Sequence, residues 1–374
     1  MLLLSVFQPL MALSPVLEDL RQTFGVDASL AQQLISIPSI VAVPVMLLCG
    51  RLSRRLPGKP VLMTGLALLT FAGVATSFAP SFTVFFVLRA LSGAGAGLLI
   101  PYTLSLIADN FEGPERNTLY GLQGTALNSG GVIFSLLGGL VGVLGWRANA
   151  WTAVLGVPFL LLAYVGLPHL PPSAHAEEKS GHLTPAAWRI YLTIVASQAL
   201  IWVFPPSAAF LLDQRGFAGS ALAGTAMAFF TAGGILGGIA FSPIHRRIGR
   251  HVTGSAFALG AAGLAVAALV PAYGAFLAGA LLLGLCGSFS VSCLLVDLTA
   301  AVPGASMTTT MSFAMAFLVG GNALGPVLSG ALRSALPGLT YEILFVGSAA
   351  CLALLAAASF LPARNRQDLK GETP

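Results

Sequence analysis

Charged residues are scarce in this chain of 374 residues: Asp, Glu, Lys and Arg together make up 8% of it, against 56% hydrophobic residues and a mean hydropathy of +0.88. A soluble protein of this length needs a polar surface that so few charges cannot supply. The apolar residues also run in blocks of about 20, which is enough for a helix to cross a bilayer. The composition therefore excludes an ordinary soluble domain and predicts an all-α, multi-pass membrane protein.

Cysteines and catalytic motifs are equally sparse. The four cysteines, Cys49, Cys286, Cys293 and Cys351, lie in or beside apolar blocks without a CxxC pair, which argues against a disulfide or zinc framework. No P-loop, HExxH or GxSxG motif is present, and the glycine runs lie within apolar blocks. We therefore expect no enzyme activity, no cofactor and no metal. The net charge of +5 is assigned to membrane topology, and no nucleic-acid partner is expected.

Titratable groups are also missing from the middle of the apolar blocks, where Arg89 is the only basic residue. All 13 carboxylates and all 5 histidines fall in loops, tails or near block ends. A charge at that depth costs at least about 2.5–3.5 kcal/mol, so Arg89 is expected to face the protein interior or a wet cavity. Two interpretations stay open. Arg89 either counters an anionic substrate or takes part in proton coupling, or it bonds to helix carbonyls and fixes its own span.

Twelve spans are predicted, at residues 2–20, 29–49, 60–79, 82–107, 117–144, 147–168, 187–212, 220–244, 252–271, 273–299, 306–333 and 340–362. They form an N-terminal half (1–168), a cytoplasmic linker (169–186), a C-terminal half (187–362) and a cytoplasmic tail (363–374). With both termini inside, the cytoplasmic segments hold 13 of the 18 basic residues and the outer segments hold four, as the positive-inside rule requires. We expect a monomer in a bacterial cytoplasmic membrane, and we interpret residues 2–17 as a first span rather than a removed signal peptide.

A repeat with an offset of about 192 residues relates the two halves. Arg54 and Arg55 recur as Arg246 and Arg247, and Ser14 recurs as Ser207 at an offset of 193. At an offset of 191, Gly130, Ser135, Gly138 and Gly139 match Gly321, Pro326, Ser329 and Gly330. These matches occur in the same order and at nearly the same offset. They predict two homologous six-helix halves with parallel topology, an architecture found in transporters.

These residues resemble the major facilitator superfamily along essentially the whole chain. That family has a G-x-L-x-D-R-x-G-R-K signature between spans 2 and 3; here Gly50, Leu52, Arg55, Gly58 and Lys59 fit if Pro57 is an insertion, whereas Arg54 replaces the aspartate. Span 4 carries Arg89, Gly93 and Gly95 of the R-x-x-x-G-x-G pattern. The resemblance implies the twelve-helix fold and transport by alternating access.

The drug–proton antiporter branch of that family is suggested by a second pattern, G-x-x-x-G-P-x-x-G-G in span 5. Gly130, Gly138 and Gly139 fit it, but Phe134 and Ser135 replace its central glycine and proline. The intact G-x-x-x-G-P occurs instead in span 11, as Gly321, Gly325 and Pro326. We predict that these glycines and this proline form helix-packing motifs.

The two arginine pairs are predicted to lie in tight cytoplasmic loops, where they serve as topology signals and as an inner gate. Arginines of one half would pair with carboxylates or helix carbonyls of the other when that side is shut. Such pairs are individually weak, about 0–1 kcal/mol, which suits a gate that must open. The candidate gating residues are Gly50, Arg54, Arg55, Gly58, Lys59, Asp109, Arg246, Arg247, Gly249, Arg250 and Asp297.

A central cavity is expected between the halves because in this architecture the substrate site lies between the repeats. Candidate substrate-binding residues of the first half are Gln8, Met11, Ser36, Arg89, Tyr102, Gln123 and Asn128. Those of the second half are Gln198, Trp202, Phe229, Ser290, Phe313, Phe317 and Asn322. Buried amides in a membrane either line such a cavity or tie helices together, so each residue has both interpretations.

The function predicted from these features is secondary transport of small amphiphilic organic compounds by an exporter, and both proton exchange and transport without proton coupling stay open. The alternative is a transporter of organic or inorganic anions with Arg89 as counter-charge. A membrane-embedded lipid enzyme would need clustered His, Asp or Glu at a membrane face, which the sequence lacks. A receptor or scaffold that keeps the fold is the remaining hypothesis, because Arg54 departs from the family signature.

Overall fold

The structure, a computed structural model, describes residues 12–110, 113–167, 184–217, 219–249, 251–301, 307–336 and 338–360. Within these ranges, the side chains of residues 50, 51, 53–55, 101, 104–110, 113–118, 120–128, 242, 299, 300 and 307–312 are not described. The described chain is helical and contains no strand. Its helices are Leu17–Phe24, Ala28–Arg55, Gly58–Ala75, Phe82–Asn110, Gly113–Gly142, Trp146–Ala150, Gly156–Gly166, Pro185–Ile201, Phe204–Gln214, Ser220–Ile248, His251–Leu269, Tyr273–Ala301, Met307–Ala335 and Tyr341–Phe360.

Ten helical segments of the described chain are long and apolar enough to cross a membrane. Of the other two predicted spans, the fifth lies in the helix Gly113–Gly142, and the first is described only from residue 12. The predicted all-helical, multi-pass architecture is confirmed. Spans keep their predicted numbers below. The linker end of the bundle is the end nearest residues 167 and 184, and the opposite end is called the distal end.

Two predicted spans are broken helices. Span 7 turns at Trp202 and Val203 and restarts as the helix Phe204–Gln214, with Pro205 and Pro206 in its first turn. In a continuous helix these prolines could not donate to the carbonyls of Ile201 and Trp202, so a new helix start accommodates them at lower cost. Span 6 passes through a 3-10 stretch, Trp151–Leu155, just before Pro158.

The helices extend further toward the linker end than their apolar residues do. Span 2 continues to Arg55 and span 8 to Ile248. Arg54 and Arg55, like Arg246 and Arg247, therefore occupy last helical turns rather than the loops expected from the sequence. The physical reason is electrostatic, because positive side chains stabilise the carbonyl end of a helix.

Each half has interior contacts of its own. In the second half, the Phe204 ring stacks on Phe276 at 5.3 Å and on Phe230 at 5.8 Å between ring centroids. In the first half, Lys59 Nζ donates to the carbonyls of Tyr164 and Leu167, each at 2.7 Å, and so joins the start of span 3 to the end of span 6. One buried hydrophobic cluster nevertheless runs through both halves, from Leu34 and Phe85 to Phe204 and Phe345.

Candidate functional site

A buried polar bridge connects the halves at the distal end. Gln32 of span 2 donates from Nε2 to the Tyr341 hydroxyl of span 12 at 3.4 Å, and its Oε1 accepts from Ser329 Oγ of span 11 at 3.2 Å. All three side chains are at most 1% exposed. We call these three residues the Gln32 bridge. Because buried amides and hydroxyls without partners are costly in a membrane, the bridge favours the joined arrangement of the halves.

Aromatic and cationic groups surround the Tyr341 ring. Phe210 stacks on it at 5.5 Å, and the Arg333 guanidinium lies 3.6 Å from its centroid. On the first half, Glu18 accepts two hydrogen bonds from Arg21 Nε, at 2.8 and 3.0 Å. This carboxylate raises the pKa of Arg21 above its ordinary value. The bridge is therefore covered on its distal side by side chains from both halves.

Two equivalent helix crossings flank the bridge. Between spans 5 and 8, a Cβ added at Gly139 would lie 2.9 Å from the carbonyl oxygen of Ser220, whose own hydroxyl donates to the Gly139 carbonyl at 3.0 Å. Between spans 11 and 2, a Cβ at Gly330 would lie 2.8 Å from Ser29 Oγ. Gly139 and Gly330 are 191 residues apart, and so are Ser29 and Ser220. The repeat thus places one glycine–serine crossing on each side of the interface.

A third contact joins spans 1 and 7 through serines that the repeat also relates. Ser14 Oγ donates to the Pro205 carbonyl at 2.6 Å. Its counterpart Ser207 is fully buried, and its hydroxyl has no hydrogen-bond partner in the described part of the chain. The carbonyl of Ala12, which would correspond to that of Pro205, instead accepts from Asn149 Nδ2 at 2.9 Å. The two halves are therefore alike in sequence here but not in bonding.

Four predicted substrate residues lie in spans 2, 7 and 11, on the linker side of the bridge. Ser36 follows Gln32 by one turn of span 2 and is fully buried. Asn322 precedes Ser329 by two turns of span 11, and its Oδ1 is buried without a described partner. Gln198 and Trp202 pack against span 11, at Gly321 and Gly325. We call Ser36, Gln198, Trp202 and Asn322 the polar seam.

Arg89 and Tyr102 lie elsewhere, in the interior of the first half. Arg89 is 4% exposed, and its Nε donates to the Leu34 carbonyl of span 2 at 3.0 Å. The small cavity beside it is lined by Ala12, Leu13, Gly73, Thr76, Phe85, Trp146, Asn149 and Ala150, all from the first half. Tyr102 belongs to a hydrophobic cluster with Cys49, Leu66 and Leu99 of the same half. The described neighbours of Arg89 and of Tyr102 therefore belong to the first half, and neither residue is placed at the interface between the halves.

The predicted aromatic residues of the second half are divided between two places. Phe317 stacks on Tyr191 at 5.0 Å and meets Trp188 edge-on at 5.7 Å, and Phe313 lies 6.5 Å from Tyr191. Phe229 is 39% exposed. Ser290 is buried and donates to the carbonyl of Gly287 in its own helix at 3.2 Å. Gln8 and Met11 lie outside the described residues, as do the side chains of Gln123 and Asn128.

Five residues of the predicted inner gate lie outside the described side chains: Gly50, Arg54, Arg55, Asp109 and Arg250. Arg246 and Arg247 are exposed on the last turn of span 8, Gly249 ends that helix with a φ of 58°, and Asp297 is exposed on span 10. Gly58 is buried at the start of span 3, and Lys59 bonds within the first half. In the part of the chain that the structure describes, the ion pairs are Arg21–Glu18 and Arg215–Glu342, and neither crosses between the halves.

The predicted packing glycines lie at close helix approaches. A Cβ at Gly138 would lie 2.5 Å from the Ala12 carbonyl oxygen, and one at Gly325 would lie 2.6 Å from that of Ala199. Gly321 approaches Gln198 and Val195 of span 7. Gly130 and Pro326 are buried in spans 5 and 11.

Three residues with structural roles at these contacts were not predicted from the sequence, namely Gln32, Tyr341 and Asn149. The signal for Gln32 was present, since it is an amide inside an apolar span one turn before the candidate Ser36. Asn149 joins three spans, because its Nδ2 donates to the Ala12 carbonyl at 2.9 Å and to the Gly138 carbonyl at 2.7 Å. Its sequence neighbourhood, WRANAW, resembles a loop more than a helix junction.

A family model described as Major Facilitator Superfamily matches residues 2–317. The chain is 30% identical over 197 residues to a chloramphenicol resistance protein of Pseudomonas aeruginosa, covering 51% of this chain and 42% of that protein. It is 27% identical over 208 residues to the multidrug resistance protein MdtL of Shigella dysenteriae, covering 53% of each. The chain thus spans about half the length of these two curated relatives, or less.

Solved structures share the fold over nearly the whole chain at low sequence identity. A bacterial homologue of the human lysosomal transporter Spinster, in an inward-facing and unoccupied conformation, matches 96% of this chain with a TM-score of 0.77 and 16% identity. A D-xylose–proton symporter also matches 96% of the chain, with a TM-score of 0.78 and 17% identity. At these identities the likeness extends to the fold alone.

Proposed function

Because the chain belongs to the Major Facilitator Superfamily, we propose that it exports small amphiphilic organic compounds by alternating access between its two halves, in exchange for protons. The cell membrane would be the bacterial cytoplasmic membrane, with both termini inside. Transport itself follows from the family, and the proposal adds the direction, the coupling ion and the substrate class.

The observation that carries the proposal is the closure of one end of the bundle by contacts between the halves. The Gln32 bridge, the Ser14–Pro205 contact and the two glycine–serine crossings join spans that belong to different halves. These contacts are neutral hydrogen bonds or close approaches of a glycine to the opposite helix. Such contacts separate without leaving a bare charge in the membrane, which alternating access requires of a closed end.

The substrate class is inferred from the polar seam. It supplies two amides, one hydroxyl and one indole, and it lies beside apolar faces of spans 7 and 11. A pocket with many apolar walls and a few donors or acceptors suits an amphiphilic molecule better than a sugar, which needs a denser polar lining. The buried Asn322 Oδ1, with no described partner, is an acceptor available to a ligand.

The anion alternative receives less support from the geometry. The Arg89 guanidinium faces residues of the first half, so in this conformation it is not presented to the interface between halves. The names of the relatives, a chloramphenicol resistance protein and a multidrug resistance protein, agree with export of organic compounds.

The proposal is tested by flux in liposomes that contain the purified protein, with chloramphenicol and a fluorescent cationic amphiphile as probes. We expect flux that is driven by an imposed proton gradient and strongly reduced by Asn322→Ala. Leu324→Ala, an exposed position on the same helix, is the matched control and should keep wild-type flux. Flux of organic anions instead of these probes, or equal flux with and without the proton gradient, would overturn the substrate class or the coupling respectively.

A further inference from the structure

Span 2 contains a proline whose missing hydrogen bond is replaced by a side chain of span 4. Pro38 lies inside the helix Ala28–Arg55 and has no N–H group, so the carbonyl of Leu34, four residues earlier, loses its helical donor. The Arg89 Nε group donates to that carbonyl at 3.0 Å. Within a membrane, proline in a helix is tolerated where a neighbouring group satisfies the freed carbonyl, and Arg89 supplies that group here.

Gly93, one turn after Arg89, packs on the same proline. A Cβ at Gly93 would lie 2.2 Å from the Pro38 carbonyl oxygen and 2.4 Å from its Cα, which is too close for any other residue. The pattern continues at Gly97, where a Cβ would lie 2.8 Å from the Ala42 carbonyl oxygen. Spans 2 and 4 therefore pack in a regular register, in which Leu34, Pro38 and Ala42 face Arg89, Gly93 and Gly97.

The distal segment of span 2 that this contact holds also carries Gln32. Leu34 is two residues beyond Gln32, and the Gln32 bridge to Ser329 and Tyr341 depends on the direction of this segment. A proline removes one backbone hydrogen bond and bends a helix at that point. Without the Arg89 donor, the Leu34 carbonyl would lack a hydrogen-bond partner, and the distal segment of span 2 would be free to reorient.

We propose that Arg89 is a positioning residue that acts with Gly93 as a clamp on the proline break of span 2, and so sets the orientation in which Gln32 joins the two halves. Arg89 then influences transport through the distal closure, without touching the substrate. This role goes beyond the proposed export function and does not depend on the identity of the substrate. A counter-charge for an anion would require contact with the substrate instead.

The clamp has a specific genetic test, because Pro38→Ala restores the N–H group that Arg89 replaces. In the full-length protein with Cys49, Cys286, Cys293 and Cys351 changed to Ala, spin labels at Ser81→Cys and Ala272→Cys report the distance between the distal loops of the two halves. Both positions are exposed and distal. We expect Arg89→Met to broaden and lengthen this distance and to lower the melting temperature. Pro38→Ala in the same chain should recover most of both losses.

Pro44→Ala is the matched control, since it restores an N–H group in the same helix at a carbonyl that Arg89 does not contact. It should not rescue Arg89→Met. Equal effects of Arg89→Met in the wild-type and Pro38→Ala backgrounds would overturn the clamp. So would a loss of flux in Arg89→Met with an unchanged distance and melting temperature, the result expected of a counter-charge. If Arg89→Met does not fold, Arg89→Gln, which keeps a neutral donor, is compared with Arg89→Leu in the Pro38→Ala background.

Discussion

Among single residues, Gln32 makes the distal contact in which one side chain engages two helices of the other half. Its neighbour Gln33 has the same chemistry but is only partly buried. The sequence could not distinguish the two, because both amides lie in one apolar span and the choice depends on which face meets span 11. The same reason explains why Tyr102 was expected at the cavity, whereas it packs inside the first half.

Replacing Gln32 with Leu should weaken the distal closure. Each hydrogen bond between membrane helices contributes about 0.6–1.7 kcal/mol, so losing two lowers the closed-to-open ratio by ~8–300-fold. The measurement, in a chain without its four native cysteines, is the alkylation rate of a cysteine introduced at Ser207, a buried residue of the distal end whose hydroxyl makes no described hydrogen bond. Gln33→Leu is the control and should leave that rate unchanged. Equal rates in the two variants would contradict the role of the bridge.

At the level of helices, the repeat predicted the crossings better than it predicted the helix shapes. Gly139 and Gly330 were paired by their offset alone, and each lies against a serine of the opposite half. Pro158, Pro205 and Pro206 predict breaks or bends in spans 6 and 7, and the structure has both, although hydropathy averages over a block and does not register the lost hydrogen bonds. The partner of Arg89 was beyond reach from sequence, although the interpretation that it bonds to a helix carbonyl agrees with its contact to Leu34.

The two crossings should differ in their tolerance of a methyl group. At Gly139 the obstacles are backbone atoms, the Ser220 carbonyl oxygen at 2.9 Å and the Gly224 Cα at 3.0 Å, whereas at Gly330 the obstacle is the Ser29 hydroxyl, which can rotate. We expect Gly139→Ala to cost about 1–3 kcal/mol, as overpacking typically does, and Gly330→Ala to cost less. Melting temperatures and the spin-label distance across the distal end measure both effects. A larger loss of stability for Gly330→Ala would contradict this expectation, because it would mean that the backbone near Gly139 moves aside more readily than the Ser29 side chain.

At the level of the whole molecule, the described contacts between the halves are neutral. The described ion pairs, Arg21–Glu18 and Arg215–Glu342, each lie within one half. Apart from the buried Arg89, the described charges lie near the ends of the spans, and the hydrogen bonds between the halves involve hydroxyls, amides and carbonyls. The scarcity of charges within the spans could be predicted from composition alone. The neutral contacts between the halves could not, because they depend on how the halves meet.

Distal closure should consequently be insensitive to ionic strength. Raising the salt concentration from about 0.05 M to about 1 M shortens the screening length to roughly 3 Å and would weaken an ionic gate. Among the described residues it leaves the neutral hydrogen bonds intact and screens only the attraction of Asp213 for Arg21 across the halves. The spin-label distance between positions 81 and 272 is the measurement. The positive control is a variant with an ionic gate built at the interface, Gln32→Glu with Ser329→Lys, which should open as salt rises. A salt-dependent distance in the wild type would contradict a neutral closure.

The weakness of these few bonds has a consequence for what the protein can carry. If four hydrogen bonds between membrane helices contribute about 0.6 kcal/mol each, they change the free energy difference between the conformations with the distal end closed and open by only a few kcal/mol. A substrate then needs an affinity for one conformation that is only roughly two orders of magnitude higher than its affinity for the other to drive the interconversion. A weak binding preference is therefore sufficient, and chemically diverse substrates are compatible with the same transport cycle.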